Sequence, residues 1–151
     1  MTITLMIETA VAFAAVFAFS MLLNVPRREL LFCGLIGAAG WLLSGIVQLH
    51  GPAGVVLGTF VGTLMLTALS RIMSNARKTP VLAYLIGGIL PLVPGSGIYY
   101  TMYALVISKD TREAMEMGIL TAQITGVIAM AIICILALPR FFFDFKLMKR
   151  K

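Results

Sequence analysis

The chain has 151 residues, of which 60% are hydrophobic and only 12% charged, and its mean hydropathy is +1.02. A water-soluble domain carries about 45–50% apolar and about 25% charged residues, so this composition excludes an ordinary soluble fold and turns the apolar excess toward lipid. The net charge of +6 does not mark a nucleic-acid surface, because the Lys and Arg residues sit between and after apolar runs without interleaved aromatics.

Five apolar segments follow in chain order, and an all-α, polytopic membrane bundle forming one transmembrane domain over residues 1–151 is expected. All five should be helical, since backbone groups in lipid must be satisfied within the segment, and the short alternating strands of a β-barrel are missing. Segment one runs from Thr4 to Leu23. It has no basic stretch ahead of it and exceeds a signal-peptide core, so it reads as a retained helix. Its Glu8 is the one acid within an apolar run, and two readings stand: a proton relay, or a carboxylate solvated near the outer end.

Segment two, Leu30 to Gln48, carries Gly34, Gly37 and Gly40 on one face, and segment three, Ala53 to Ser70, carries Gly54, Gly58 and Gly62. Segment five, Met117 to Leu138, adds Gly118, Ala122 and Gly126. Lipid gives helices no hydrophobic drive to associate, so close approach at small residues must supply the packing. Internal packing accounts for any one ridge. Three ridges together point to a second membrane subunit as well.

Segment four, Pro80 to Ser108, is interrupted by Pro91-Leu92-Val93-Pro94-Gly95-Ser96-Gly97. Two prolines remove donors and clash with the preceding turn, and two glycines permit backbone angles that other residues avoid. A break at membrane depth is tolerated only inside protein or beside a wet cavity. A helix restarting near Ser96 or Gly97 aims bare N–H groups and a positive dipole end at that cavity, which suits a carboxylate. Broken helices of this kind form substrate sites in secondary transporters, with a structural kink as the alternative. Tyr99 and Tyr103 offer hydroxyls to a substrate or anchor the membrane interface. Gln123 lies deep enough in segment five to need a hydrogen-bond partner, in a pocket or on another helix.

Topology follows from charge. Arg27, Arg28, Arg71, Arg77, Lys78 and the tail (Arg140, Lys146, Lys149, Arg150, Lys151) fall on one side if segment four crosses once, which gathers ten of the twelve basic residues there. The positive-inside rule then puts the N-terminus outside and the C-terminus in the cytoplasm. His50 falls in a short outer loop, and Asp110 to Glu113 read as a solvated loop and helix start. Cys33 and Cys134 sit within apolar runs as small buried hydrophobes, with no metal or disulfide spacing. No nucleophile–base set, carboxylate dyad or phosphate loop is present, so an enzyme is not expected, and neither cofactor nor metal is called for.

At Phe19-Ser20-Met21-Leu22-Leu23-Asn24-Val25-Pro26-Arg27-Arg28, at Cys33-Gly34-Leu35-Ile36-Gly37-Ala38-Ala39-Gly40-Trp41 and above all at Pro91-Leu92-Val93-Pro94-Gly95-Ser96-Gly97-Ile98-Tyr99, the chain resembles the threonine/serine exporter family over its whole length. It is similar to the smaller, C-terminal-half subunit of the family's split form. The resemblance implies proton-driven export of small amino acids or related carboxylates across the bacterial inner membrane, together with a second membrane subunit that this chain lacks. Pro94, Gly95, Ser96, Gly97, Tyr99, Tyr103 and Gln123 would line the substrate, and Glu8 would couple protons. A scaffold subunit and a channel are the rival readings, and association of several copies of the chain stays open.

Overall fold

The computed structural model describes residues 2–50 and 54–139. The basic tail from Arg140 onward and the turn at Gly51 and Pro52 lie outside the described residues, as does the expected start of segment three at Ala53. Among the described residues six α-helices follow one another: α1 (Thr2–Leu22), α2 (Leu30–His50), α3 (Gly54–Arg77), α4 (Val81–Ile89), α5 (Gly95–Tyr103) and α6 (Thr111–Ala137). A 3-10 turn occupies Leu90–Leu92 and a π turn Ala104–Ser108. No strand occurs among the described residues. Among the described residues four helices, α1, α2, α3 and α6, are each long and apolar enough to cross a membrane, and the pair α4–α5, bent by 48°, passes the same test when taken as one broken span.

Two boundaries differ from expectation, each for a physical reason. The third helix runs to Arg77 instead of ending at Ser70, so Arg71 is not a loop residue but a buried member of α3. Its guanidinium donates to the carbonyls of Ile135 and, at 2.6 Å, Leu138. These lie at the C-terminal end of α6, where carbonyls lose their i+4 amides; Ile135 keeps only a 3.3 Å bond from the amide of Leu138, the cap residue. The last helix begins at Thr111 rather than Met117, because the Asp110 carboxylate accepts from the amides of Arg112 at 2.9 Å and Glu113 at 3.1 Å.

The Arg71 contact also decides how often the chain crosses. It puts the end of α6 beside the end of α3, and α4 starts at that same end, where Ser74 Oγ donates to the Thr79 carbonyl at 2.5 Å. The first residue of α6 lies 27 residues up a single helix, at the opposite end. The bent pair therefore traverses the bundle once.

Helices α1 and α3 stop by the same device. Asn24 and Lys78 take left-handed conformations (φ 56° and 57°), and the next amides, Val25 and Thr79, reach back to the carbonyls of Ser20 at 3.1 Å and Ser74 at 3.3 Å. Pro26 and Pro80 then forbid continuation.

Helix α2 packs between α1 and α3. Gly34 faces the Phe13 ring and Gly37 faces Val16, both on α1, while Gly40 faces Leu66 and Gly62 on α3. A Cβ on Gly62 would lie 2.6 Å from the Gly40 carbonyl oxygen, so the two backbones approach as closely as glycine allows. Gly58 meets Ser44 and Gln48 of α2, whereas Gly54, at φ 63°, opens α3 and meets no neighbouring atom. A second stripe on α3, Thr59, Thr63, Thr67, Ser70 and Ser74, is buried throughout. The hydroxyls of Thr63, Thr67 and Ser70 return to the carbonyls of Thr59, Thr63 and Leu66 at 2.7–2.8 Å. Bonded to their own helix, they pack as small side chains without leaving a polar group unpaired. Helix α5 differs from all the others: it rests on α6 and buries none of its own residues.

Candidate functional site

The break is built from four residues. Pro91 sits in the 3-10 turn, Val93 is extended (ψ 129°), Pro94 has φ −76° and ψ 62°, and α5 begins at Gly95. The Gly95 amide turns back to the Val93 carbonyl at 2.8 Å, and the first helical bond of α5 runs from the Ile98 amide to the Pro94 carbonyl at 3.1 Å. The amides of Ser96 and Gly97 lie between them, in the first turn, where a helix provides no acceptor and its dipole is positive.

The side chains around the break fall into two groups. Gly95 is exposed, and a Cβ there would meet nothing within 4 Å. Ser96, Tyr99 and Tyr103 are exposed too, and Tyr99 stacks on Tyr103 with ring centroids 6.2 Å apart. Gly97 instead faces inward, against the Thr121 hydroxyl of α6, and Gly118 of α6 meets the Thr101 methyl one turn further along α5. Gly97 thus serves the α5–α6 contact, and Thr101 Oγ1 donates to its carbonyl at 2.7 Å. Gln123 is exposed halfway along α6, and Gly126, one turn beyond, has open space beside it. The structure joins Gly97 to α6 through Thr121 and leaves Gly95, Ser96, the tyrosines and Gln123 on open faces.

A groove of about 480 Å³ runs beside the break, between α1, α2 and the 3-10 turn. Glu8 and Phe19 of α1, Trp41 of α2, and Leu90 and Pro91 line it. Glu8, exposed on α1, thus lies on the groove beside the broken segment.

Sequence reasoning passed over Glu29. It lies in the loop before α2, next to Arg28, and is only 6% exposed. Its Oε2 accepts from Arg77 Nε and from Tyr84 Oη, each at 2.6 Å. The Arg77 guanidinium also lies 4.5 Å from the centroid of the Phe32 ring. The Arg77 hydrogen bond holds the Glu29 carboxyl below the usual carboxylate range, burial opposes it, and the Tyr84 hydroxyl adds to the lowering. The cluster ties the α1–α2 loop to the end of α3 and the start of α4. In the sequence an acid beside two arginines reads as a solvated loop charge, and nothing local pairs it with a residue 48 positions away. Next to this cluster a polar pocket of about 650 Å³ opens among Arg71, Ser74, Asn75, Lys78 and Thr79. Among the described residues no three His, Cys, Asp or Glu side chains gather as a metal site.

The family described as Threonine/Serine exporter, ThrE matches residues 8–138, which include most of α1, all of α2 to α6 and the whole break. The chain belongs to the threonine/serine exporter family. The description of that family is one of membrane transport. An uncharacterized protein of Haemophilus influenzae is 29% identical to this exporter-family chain over 96 residues, covering 62% of the chain and 32% of the relative. The chain thus spans about a third of the length of that curated relative. No solved structure matches the chain.

Proposed function

We propose that this chain is one half of a two-part, proton-driven secondary exporter of threonine, serine or a related small carboxylate. The break in the fourth span carries the reading. It combines unbonded amides at Ser96 and Gly97, open space at Gly95, and exposed hydroxyls at Tyr99 and Tyr103. In this reading the substrate carboxylate sits on the positive end of α5, and Tyr99, Tyr103 and Gln123 complete the polar contacts. Glu8, an ionisable group inside an apolar helix, carries the coupling proton.

The partner is supported by what this chain leaves uncovered. A carboxamide at Gln123, midway along a spanning helix, is costly against lipid, and the small residue Gly126 beside it invites a second helix. The matched relative also continues well beyond the region shared with this chain. Orientation follows the positive-inside rule: the end carrying Arg27, Arg28, Arg77 and Lys78 faces the cytoplasm of a bacterial cell, and the N-terminus lies outside the inner membrane.

The test is efflux of labelled threonine, serine and succinate from loaded cells expressing this chain, its partner, or both, with and without an uncoupler. Efflux from the pair alone, lost with the uncoupler, is the expected result. Absence of efflux for all three substrates overturns the reading. The Gly97–Thr121 contact favours a second reading, in which the break is structural and the chain is a scaffold for its partner. Transport that tolerates every substitution from Pro94 to Ser96 would favour that scaffold.

A further inference from the structure

Two cavities at the end of α3 take no part in the exporter reading, and they share a wall. The first is the polar pocket of about 650 Å³, which Arg71, Asn75 and Lys78 line on one side and Leu136 of α6 on another. The second is an apolar groove of about 390 Å³ bounded by Leu23, Val25, Leu82 and Ile86. Thr79 and Pro80 belong to both. Among the described residues two basic side chains and no acidic one line the polar pocket. Arg71 contributes a buried charge and engages the carbonyls at the end of α6 that would otherwise repel an anion. Lys78 contributes an exposed charge from the left-handed position, φ 57°, that ends α3. Such a position normally takes glycine or asparagine, as at Asn24, so lysine stands there at a backbone cost. The first turn of α4 adds the Val81 amide, in a helix that has no side-chain cap. Both cavities lie where α3 ends and α4 begins, the depth at which lipid headgroups meet a spanning helix.

We propose that the two cavities together hold one anionic phospholipid, with its phosphate against Lys78 and Arg71 and an acyl chain beside Leu82 and Ile86. Basic pockets between spanning helices suit anionic headgroups. The adjoining apolar groove favours a lipid over a soluble phosphate, which has no chain to bury there. Residues 140–151, which follow α6, carry five basic side chains and one acidic, and add to the attraction of an anionic membrane surface. The inference needs only the membrane-spanning fold, so its failure leaves the exporter reading untouched.

The full chain in neutral detergent is titrated with phosphatidylglycerol and with phosphatidylcholine of the same acyl chains, and bound lipid is counted by native mass spectrometry. One phosphatidylglycerol per chain, held at least about fivefold more tightly than phosphatidylcholine, is expected. Lys78→Gly should remove that preference and Lys78→Arg should keep it. Glycine suits the backbone at this position, so Lys78→Gly should melt no lower than the wild type. Lys109→Gly makes the same exchange at another left-handed lysine, φ 52°, outside the pocket. Arg27→Gln removes a charge from the α1–α2 loop, at the same end of the bundle. Both should bind phosphatidylglycerol as the wild type does. Equal binding of the two lipids, or unchanged binding by Lys78→Gly, overturns the proposal. So does an equal loss in Arg27→Gln, which would mark surface charge alone. Displacement of the lipid by equimolar glycerol 3-phosphate, which has no acyl chain, would leave a simple anion site and overturn it too.

Discussion

Arg77 closes on Glu29: its Nε donates to Oε2 at 2.6 Å across 48 positions of sequence, joining the end of α3 to the loop before α2. Removing the carboxylate strands two donors, because Tyr84 Oη binds the same oxygen. Glu29→Ala should lower the Tm of the chain in detergent more than Glu29→Gln, whose carboxamide still accepts. Tyr84→Phe deletes one bond to a charged acceptor and should cost about 1–3 kcal/mol. Equal Tm for wild type and Glu29→Ala would show that the cluster contributes nothing to stability.

Acid should unpick the same cluster. The folded Glu29 carboxyl is held below its ordinary value of 4.5, chiefly by the Arg77 hydrogen bond. In acid the unfolded chain therefore takes up its proton first, so the stabilisation is complete above about pH 4.5 and disappears as pH falls through the lower, folded value. Thermal melts of wild type and Glu29→Gln across that range check it. The wild type should lose Tm faster with acid, and parallel curves count against the assignment.

Gly95 and Gly97 separate a binding role from a packing role. A side chain on Gly95 enters open space, whereas one on Gly97 runs into Thr121. Gly95→Leu should leave Tm unchanged and reduce efflux by the pair at least about tenfold, by crowding the α5 amides. Gly97→Leu should lower both, with a packing cost of about 1–3 kcal/mol. Full export by Gly95→Leu would mean the break does not hold the substrate.

The glycine ridges should divide in the same way. Gly62→Ala would put a methyl 2.6 Å from the Gly40 oxygen and 2.8 Å from Ser44 Cβ, costing about 1–3 kcal/mol of stability in the chain alone. Gly126→Leu adds a side chain where nothing stands within 4 Å. It should leave Tm of the isolated chain unchanged and reduce co-purification of the partner subunit. A Gly126→Leu variant that still captures its partner in full would place the interface elsewhere.

Much of this architecture is local and therefore legible in the sequence. Twenty apolar residues in a row prefer lipid whatever surrounds them, so the spans appear from composition alone. Pro91 and Pro94 cannot continue a helix anywhere, so the break was visible and fell where expected. Asn24-Val25-Pro26 ends α1 by backbone chemistry contained in a few residues. The glycine ridges were legible as small surfaces, but not which neighbour each would meet.

Tertiary structure alone decided the pairings. Arg71 was counted with the loop charges, yet it is buried and holds the last carbonyls of α6, because a helix end needs donors and this guanidinium is brought within reach. Glu29 drew no attention as a loop acid and proved to be the shared acceptor of Arg77 and Tyr84. Gly97 makes room for Thr121 of α6, a neighbour its own motif could not announce, while Glu8 and Trp41, 33 positions apart, came to line one groove. Hydropathy and proline chemistry act on each residue by itself, so sequence determined where the chain enters the membrane and where it breaks. Partners for a charge or a glycine depend on residues far along the chain, and only the packed helices bring them together.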